Sequence, residues 1–434
     1  MADTESPARR RICVIGAGAA GLCAVRHLAS DPRSFEPVVF EQSNVVGGTW
    51  VYVDKTGLDD NGYPIHSSMY ANLRTNLALK IMNFPDFPRL GHSDVACGTH
   101  QEVLNYLRDY ADHFQLRQFI QFNTRVECVW PVENPTDWKL TTWKVRTKNL
   151  STEVTEEREF DAVMVCNGHY FVPRVPTIPG IESFPGSVIH SHDYRKPEKY
   201  SGKRVIVLGA ASSGVDIGLE LTGHASHVYL SHNKDRLIGP LPSNMTQIAG
   251  VERVSGNEFS LRDGTKVTDA DSFIYCTGYE YSFPFLDDRC EISVDDNYVS
   301  PLYKHLINVE HPSMCIVGIP MTVVPFALFH MQVQYHLAIL KGRVNLPTKP
   351  EMLEDSRLKS SAKRHAHVLG DKQFDYDDDL AVSGGFERLP AFYKNGYIAW
   401  SASRVGNLLH FKDSKFIVHS DNATAEVVPW SEKN

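Results

Sequence analysis

Arg11-Ile12-Cys13-Val14-Ile15-Gly16-Ala17-Gly18-Ala19-Ala20-Gly21 is an apolar run closed by a G-x-G-x-x-G turn, and it decides the fold. The run reads as a buried parallel strand. Gly16 permits the tight turn, Gly18 lets the backbone approach a pyrophosphate, and Gly21 lets a helix pack closely on the strand. Ala19 and Ala20 complete the turn. The stretch Leu22 to Ala29 is helix-compatible, so phosphates would sit at a helix N-terminus, where free N–H groups and the helix dipole favour anions. Val38-Val39-Phe40 is the next strand, and Glu41 follows about 20 residues beyond the turn, where an acid binds a ribose hydroxyl. A carboxylate there repels a 2′-phosphate, so the site suits FAD or NAD rather than NADP. Gln42 continues the same loop. Gly47-Gly48-Thr49-Trp50 then favours FAD, because paired glycines let the backbone run along the cofactor and the Trp50 ring covers it.

The same grammar recurs later in the chain. Arg204-Val205-Ile206-Val207-Leu208 is a second buried strand, Gly209-Ala210-Ala211-Ser212-Ser213-Gly214 a second turn, and Gly214 to Leu221 a second helix. Ala211 replaces the middle glycine, and its methyl group narrows the approach to a pyrophosphate without closing it. The next strand, His227-Val228-Tyr229-Leu230, runs into Ser231-His232-Asn233-Lys234 instead of an acid. Hydroxyl, imidazole, amide and ammonium groups suit a 2′-phosphate, so NADPH is the expected occupant. Two dinucleotides in one protein are the minimum equipment for passing a hydride from a nicotinamide to a flavin.

Between the turns lie Phe184, Gly186, His190 and Tyr194, in the spacing F-x-G-x-x-x-H-x-x-x-Y. Four further segments stand out: Asn72-Leu73-Arg74-Thr75-Asn76, Phe273-Ile274-Tyr275-Cys276-Thr277-Gly278-Tyr279, Leu302-Tyr303-Lys304-His305, and Pro325 to Tyr335. On these residues the chain resembles the flavin-containing monooxygenases that oxygenate nitrogen and sulfur, and it is most similar to soluble-looking insect members. The motif at Phe184 is the specific one, since related Baeyer–Villiger enzymes usually end it in tryptophan. The resemblance implies that Asn76 is an active-site amide reaching both flavin and nicotinamide ribose. It also implies that the Phe184–Tyr194 motif holds the NADP domain at the domain junction. Thr277 and Gly278 would turn the chain beside the cofactors, and Gln332 would lie near the flavin pocket. The chain departs from the family at Ala211 and at Leu77-Ala78-Leu79-Lys80, where Leu-Pro-Lys-Glu is frequent. The apolar anchor of vertebrate members has no counterpart in the closing Ser431-Glu432-Lys433-Asn434.

At 434 residues with a net charge of −8, the chain can build two or three sizeable cores. It lacks the basic excess expected of a nucleic-acid binder. No apolar segment follows Met1-Ala2-Asp3-Thr4-Glu5, so no signal peptide is read. The longest apolar run, Met314 to Phe329, is broken by Pro320 and Pro325 and reads as a buried strand and turn leading into a helix, not a membrane span. The expectation is a cytoplasmic protein, and a homo-oligomer is compatible with it. The eight cysteines form no C-x-x-C or C-x-x-x-x-C pair. Cys13, Cys23, Cys166, Cys276 and Cys315 sit in apolar contexts and read as reduced core residues. That removes the flavoprotein disulfide reductases, which share the two-dinucleotide plan but need a cysteine pair beside the flavin. The 19 histidines show no H-E-x-x-H and no Cys/His cluster, so no metal is expected.

The predicted fold is α/β, with two Rossmann-like dinucleotide-binding domains, the NADP domain inserted in a discontinuous FAD domain. Residues 1–179 form the first FAD part, 180–281 the NADP domain, and 282–434 the second FAD part with substrate-pocket and C-terminal elements. Tyr63 to Thr99 reads as a loop with a short helix that carries Asn76 to the flavin. Asp371 to Asp379, followed by Gly384-Gly385, reads as a surface excursion. His190 and Tyr194, four apart, could share one face of a helical turn.

By resemblance, NADPH reduces FAD, reduced FAD takes up O2 as a peroxide on its ring, and an amine nitrogen or a sulfide takes the terminal oxygen. The cofactor carries the hard chemistry, while the protein excludes water and keeps NADP⁺ as a cover. The expected substrates are small amines or thioethers, xenobiotic or alkaloid. Two other readings stay open: a FAD- and NADP-binding sensor or scaffold without turnover, and an uncoupled NADPH oxidase. Ala211 and Leu79-Lys80 favour them. The two phosphate turns, Asn76 and the intact linker motif argue for the enzyme.

Overall fold

The computed structural model describes residues 9–91, 95–132, 137–358, 362–419 and 423–431. The opening Met1–Glu5 and the closing Glu432–Asn434 lie outside the described residues. Two sheets organise the chain. The first has seven strands, in the order 302–303, 307–308, 314–316, 162–165, 10–15, 35–40 and 120–121. Its central strand Arg10–Ile15 pairs in parallel with Phe35–Phe40 on one side and Ala162–Val165 on the other. Ile12, Cys13 and Val14 are fully buried, as a parallel strand covered on both faces must be. The second sheet has five strands, in the order 245–248, 227–231, 204–208, 272–275 and 187–190, all paired in parallel.

Each central strand is followed by a glycine turn and a helix, Ala19–Ala29 in the first unit and Ser212–Leu221 in the second. After the second sheet is complete, Met314–Ile316 returns to lie beside Ala162–Val165. The first sheet is therefore assembled from chain on both sides of the second, giving an α/β plan of two Rossmann-like units. Strand Met314–Ile316 leads into helix Pro325–Leu340, which starts at a proline whose missing N–H has no intrahelical partner to lose. Phe326, Met331 and Tyr335 from that helix join Leu22, Val25 and Leu28 in the first core.

Two expectations change, and one is sharpened. The acidic stretch near Asp371–Asp379 is not a surface excursion. Helix Gln373–Gly384 turns Phe374, Leu380 and Ala381 inward and packs on helix Pro325–Leu340, ending at Gly385 with φ of 68°. The run of acids masked three inward apolar positions. His190 and Tyr194 do not share a helical face. His190 ends strand Ser187–His190, and Tyr194 follows the short turn Ser191–Asp193. In the 63–99 segment the short helix is a single tight turn, Leu79–Met82, with Leu79, Ile81 and Met82 buried. The departure at Leu77–Lys80 thus places apolar side chains in the core.

Candidate active site

The two phosphate turns are built alike, down to single atoms. Gly16 has φ of 101°, and a Cβ there would stand 2.7 Å from the Cys166 carbonyl oxygen. On Gly21 a Cβ would fall 1.8 Å from the Gly16 oxygen. In the second turn Gly209 has φ of 116° and its Cβ would lie 2.3 Å from the Cys276 oxygen, while one on Gly214 would lie 1.7 Å from the Gly209 oxygen. Helix and strand approach in both units at a distance only glycine allows. Both helices open at residues that provide no side-chain cap, Gly18 and Ala211. Their first-turn N–H groups therefore remain for an anion. These two cradles fit the pyrophosphates of two dinucleotides.

The middle positions differ. A Cβ on Gly18 would lie 3.5 Å from Gly48 Cα, an ordinary contact, whereas one on Gly48 would lie 2.9 Å from Gly18 Cα. The glycine pair thus packs backbone to backbone on the first turn, and the Gly47 N–H donates to the Ala17 carbonyl at 3.0 Å. Ala211, the counterpart of Gly18, is exposed. Ala19 and Ala20 are buried. Ser213 is half-buried behind the exposed Ser212.

Glu41 follows strand Phe35–Phe40 directly and is buried. Its carboxylate accepts the Ala17 N–H at 2.7 Å, and the N–H and hydroxyl of Ser43, both at 2.8 Å. Burial pushes its pKa up against those three bonds. Gln42 accepts from Arg125 at 3.2 Å. Thr49 and Trp50 lie on the turn Gly48–Trp50. The Thr49 hydroxyl is 3.4 Å from that of Ser68, and the half-buried Trp50 packs against the core of the first unit.

The loop 70–76 of the first unit lies against helix Ser212–Leu221 of the second. Asn76 Nδ2 donates to Ser212 Oγ at 3.0 Å, and its carbonyl accepts from Trp400 Nε1 at 2.9 Å. The exposed Asn76 side chain is held at the opening residue of the second phosphate helix. Asp216 and Glu220 follow Ser212 at four-residue steps and so share its helix face. Tyr194 donates to Glu220 at 2.6 Å and Asn72 at 2.8 Å. Tyr70 and Lys412 both donate to Asp216. Lys412 also donates to the Arg74 carbonyl at 3.2 Å, and Arg74 pairs with Asp413 at 2.7 Å. Sequence reading missed Tyr70, Asp216, Glu220 and Lys412. The available signal was an acid pair at i and i+4 just beyond the second turn.

The linker motif serves packing first. Phe184 meets Phe259 edge-on at 4.9 Å, and a Cβ on Gly186 would lie 2.3 Å from the Phe184 ring. The glycine is thus required by the phenylalanine two residues earlier. His190 is buried, which lowers its pKa to about 4, with His192 adding to the effect. Its Nδ1 accepts the His192 N–H at 3.0 Å. The neutral ring supports the turn that aims Tyr194.

At the end of strand His227–Ser231 the expected phosphate cluster divides. Ser231 is fully buried. Its hydroxyl donates to the Ala249 carbonyl at 3.0 Å and accepts the Val251 N–H at 3.2 Å. It cannot turn to a phosphate without breaking both bonds. His232 Nε2 is engaged with Gln247 at 3.1 Å. Asn233 is exposed, with its oxygen accepting the Gly250 N–H at 3.1 Å. Lys234 is exposed and unpaired among the described residues. Arg236, also exposed, adds a second cation two residues on.

Thr277 donates to the Arg174 carbonyl, and Gly278, with φ of 82°, accepts the Arg174 N–H at 2.9 Å. They join the chain segments that enter and leave the second unit. Gln332 is fully buried, accepting the Gly318 N–H at 2.9 Å and donating to Tyr376 at 2.8 Å. It braces the turn after Met314–Ile316. All eight cysteines are free.

No helix among the described residues is long and apolar enough to cross a membrane. The family model for flavin-binding monooxygenase-like proteins matches residues 9–239 and 241–383. The Arabidopsis thaliana flavin-containing monooxygenase FMO GS-OX-like 4 is 36% identical over 438 residues, covering 95% of this chain and 96% of its own length. A second one, FMO GS-OX5, is 38% identical over 409 residues, covering 88% and 87%. Among solved structures, the S-allyl-L-cysteine S-oxygenase of Allium sativum superposes with a TM-score of 0.85 at 34% identity, covering 94% of this chain and 96% of that one. Tmm from a Pelagibacter strain superposes with a TM-score of 0.83 at 25% identity, covering 97% and 96%. The chain belongs to the flavin-binding monooxygenase-like family and is a flavin monooxygenase.

Proposed function

We propose that the protein uses NADPH and O2 to oxygenate soft nucleophiles, thioethers foremost and small amines besides. The observation that carries this reading is the Asn76–Ser212 hydrogen bond at 3.0 Å. It joins the amide of one dinucleotide unit to the opening residue of the other's phosphate helix. FAD would be held at the first turn, where Glu41 is the acid suited to its ribose. NADPH would be held at the second turn, where Asn233, Lys234 and Arg236 are the exposed groups suited to a 2′-phosphate. The preference for sulfur is supported by the S-allyl-L-cysteine S-oxygenase, at 34% identity.

When bound, the flavin supplies oxygen activation after accepting a hydride. The chain's own residues bind, orient and shield. First-turn N–H groups of the two helices would hold the two pyrophosphates. Asn76 offers an amide that can donate to one cofactor and accept from another without a charge. Asp216 and Glu220, tied to Tyr70, Asn72 and Lys412, fix the second helix against the first unit, and Tyr194 braces Glu220 from within the second. That orientation sets the two phosphate cradles relative to each other. No side chain here needs to move a proton for the transfer itself.

The test is product analysis. Purified yellow protein is mixed in air with NADPH and an allyl thioether, then separately with a tertiary amine. Sulfoxide formed faster than N-oxide is the expected result. NADPH oxidised to hydrogen peroxide alone would make the protein an oxidase. No NADPH oxidation would leave a sensor or scaffold.

A further inference from the structure

Helices Ala19–Ala29 and Pro325–Leu340 pack against each other, and three ligand-type side chains meet at their contact. Cys23 and His27, four apart, share one face of the first helix. They meet His330 on the second. The Cys23 sulfur and a nitrogen from each imidazole lie within 4.8 Å of one another, the one such group among the described residues. His27 Nε2 and His330 Nδ1 are 3.1 Å apart. In a tetrahedral zinc site two imidazole nitrogens stand about 3.3 Å apart, and a thiolate and an imidazole nitrogen about 3.6 Å. The histidines already hold that spacing, and the thiol, within 4.8 Å of both, reaches it by a shift of at most about 1.2 Å.

Burial grades in the way a binding site requires. Cys23 is fully buried and forms the floor, while His27 and His330 stand partly buried above it. The imidazole–imidazole contact needs one donor and one acceptor, so a nitrogen lone pair already points across the gap. Arg26 is the nearby cation. Its guanidinium lies 3.3 Å from Asp86 and over the Phe114 ring at 4.0 Å, so its charge is offset beside the cluster.

We propose that Cys23, His27 and His330 bind a zinc-class divalent cation, with water as the fourth ligand. One thiolate and two imidazoles favour zinc over magnesium or calcium, which demand oxygen ligands. Binding forms one metal–sulfur and two metal–nitrogen bonds and releases one proton, that of the thiol. The imidazoles bind neutral, the ring that donated in the metal-free contact carrying its proton on its other nitrogen. The ion clips the helix of the first phosphate turn to the helix that carries Gln332. From sequence, no metal is expected and Cys23 reads as a core residue; His330 is 303 residues from His27, so only the fold assembles the set.

The flavin-loaded protein is stripped with a chelator, checked for full flavin content, and titrated with Co²⁺ as a zinc analogue. Cobalt d–d bands lie to the red of flavin absorption and are intense only in tetrahedral-type sites. The expected result is uptake of one equivalent per chain, with intense bands that Zn²⁺ abolishes. His330→Gln and Cys23→Ser, each compared at full flavin load, lose that uptake. His27→Gln replaces either variant that fails to load flavin. No uptake at equimolar metal, or uptake retained in any flavin-loaded variant, overturns the proposal.

Discussion

Tyr194 donates to the Glu220 carboxylate at 2.6 Å, within the second dinucleotide unit and on the helix face that meets loop 70–76 of the first. Tyr194 closes the linker motif, and Glu220 lies two turns along the helix that Ser212 opens. The linker tyrosine therefore grips the phosphate helix itself. Because Ser212, Asp216 and Glu220 share one face, a grip at Glu220 also sets where Ser212 stands relative to Asn76.

Tyr194→Phe keeps the ring in its buried place and removes this bond to a carboxylate, a loss of about 1.5–3 kcal/mol. The altered helix position slows anaerobic flavin reduction by NADPH about 10-fold, the rate equivalent of the lower bound. Flavin content stays unchanged, and stopped-flow spectroscopy reads both quantities. A normal reduction rate would place the tyrosine outside the positioning of NADPH.

The glycines of the first turn separate by role. Gly21→Ala puts a methyl group 1.8 Å from the Gly16 oxygen, so helix and strand must part and the fold loses stability. Gly18→Ala meets Gly48 at 3.5 Å, so the chain folds while its approach to the pyrophosphate narrows. Thermal unfolding and flavin per chain, measured together, distinguish them. Gly21→Ala lowers the melting temperature even without flavin, whereas Gly18→Ala lowers flavin content alone.

In the proposed NADPH site the exposed cations are Lys234 and Arg236, since Ser231 and His232 are engaged inward. Lys234→Ala raises the KM for NADPH about 10-fold, the loss of one hydrogen bond to a charged group. The KM for NADH stays level. An equal change for both cofactors would remove Lys234 from the 2′-phosphate.

Much of this was legible in the sequence, and the rest was hidden for definable reasons. The strands flanking Gly16 and Gly209 were readable because burial on both faces demands unbroken apolar runs. The glycines were readable because their backbone contacts admit no substitute. Ser231 misled because a hydroxyl at a strand end reads the same whether it faces solvent or, as here, the Ala249 carbonyl. Lys412 could not be found at all, since nothing local marks a lysine that reaches Asp216 across the fold. Helix Gln373–Gly384 was obscured because its four acids outnumber its three inward apolar residues, Phe374, Leu380 and Ala381.

That helix carries an acid with a measurable signature. Asp377 is buried, its Oδ1 lacks a hydrogen-bond partner, and burial raises its pKa from 3.8 to about 8. Between those values the unfolded chain has released a proton that the folded chain still holds. Stability therefore falls as pH rises across that window. Asp377→Asn has the same shape and cannot ionise. It melts higher than the parent at pH 8, and the gap narrows as pH falls toward 4. A gap independent of pH would show that ionisation of Asp377 does not oppose folding.

The most direct measurement is the ratio of oxygenated product to NADPH consumed, in the parent and in Asn76→Ala, with hydrogen peroxide assayed in parallel. Asn76 is exposed and bonded to Ser212, so its truncation leaves the fold and flavin content intact while removing the amide that would hold NADP⁺ over the flavin. The account predicts a ratio near one in the parent. In Asn76→Ala it predicts a marked fall, with hydrogen peroxide making up the difference and NADPH consumption reduced less than product. An unchanged ratio in a flavin-loaded Asn76→Ala protein would contradict it and remove Asn76 from the reacting centre.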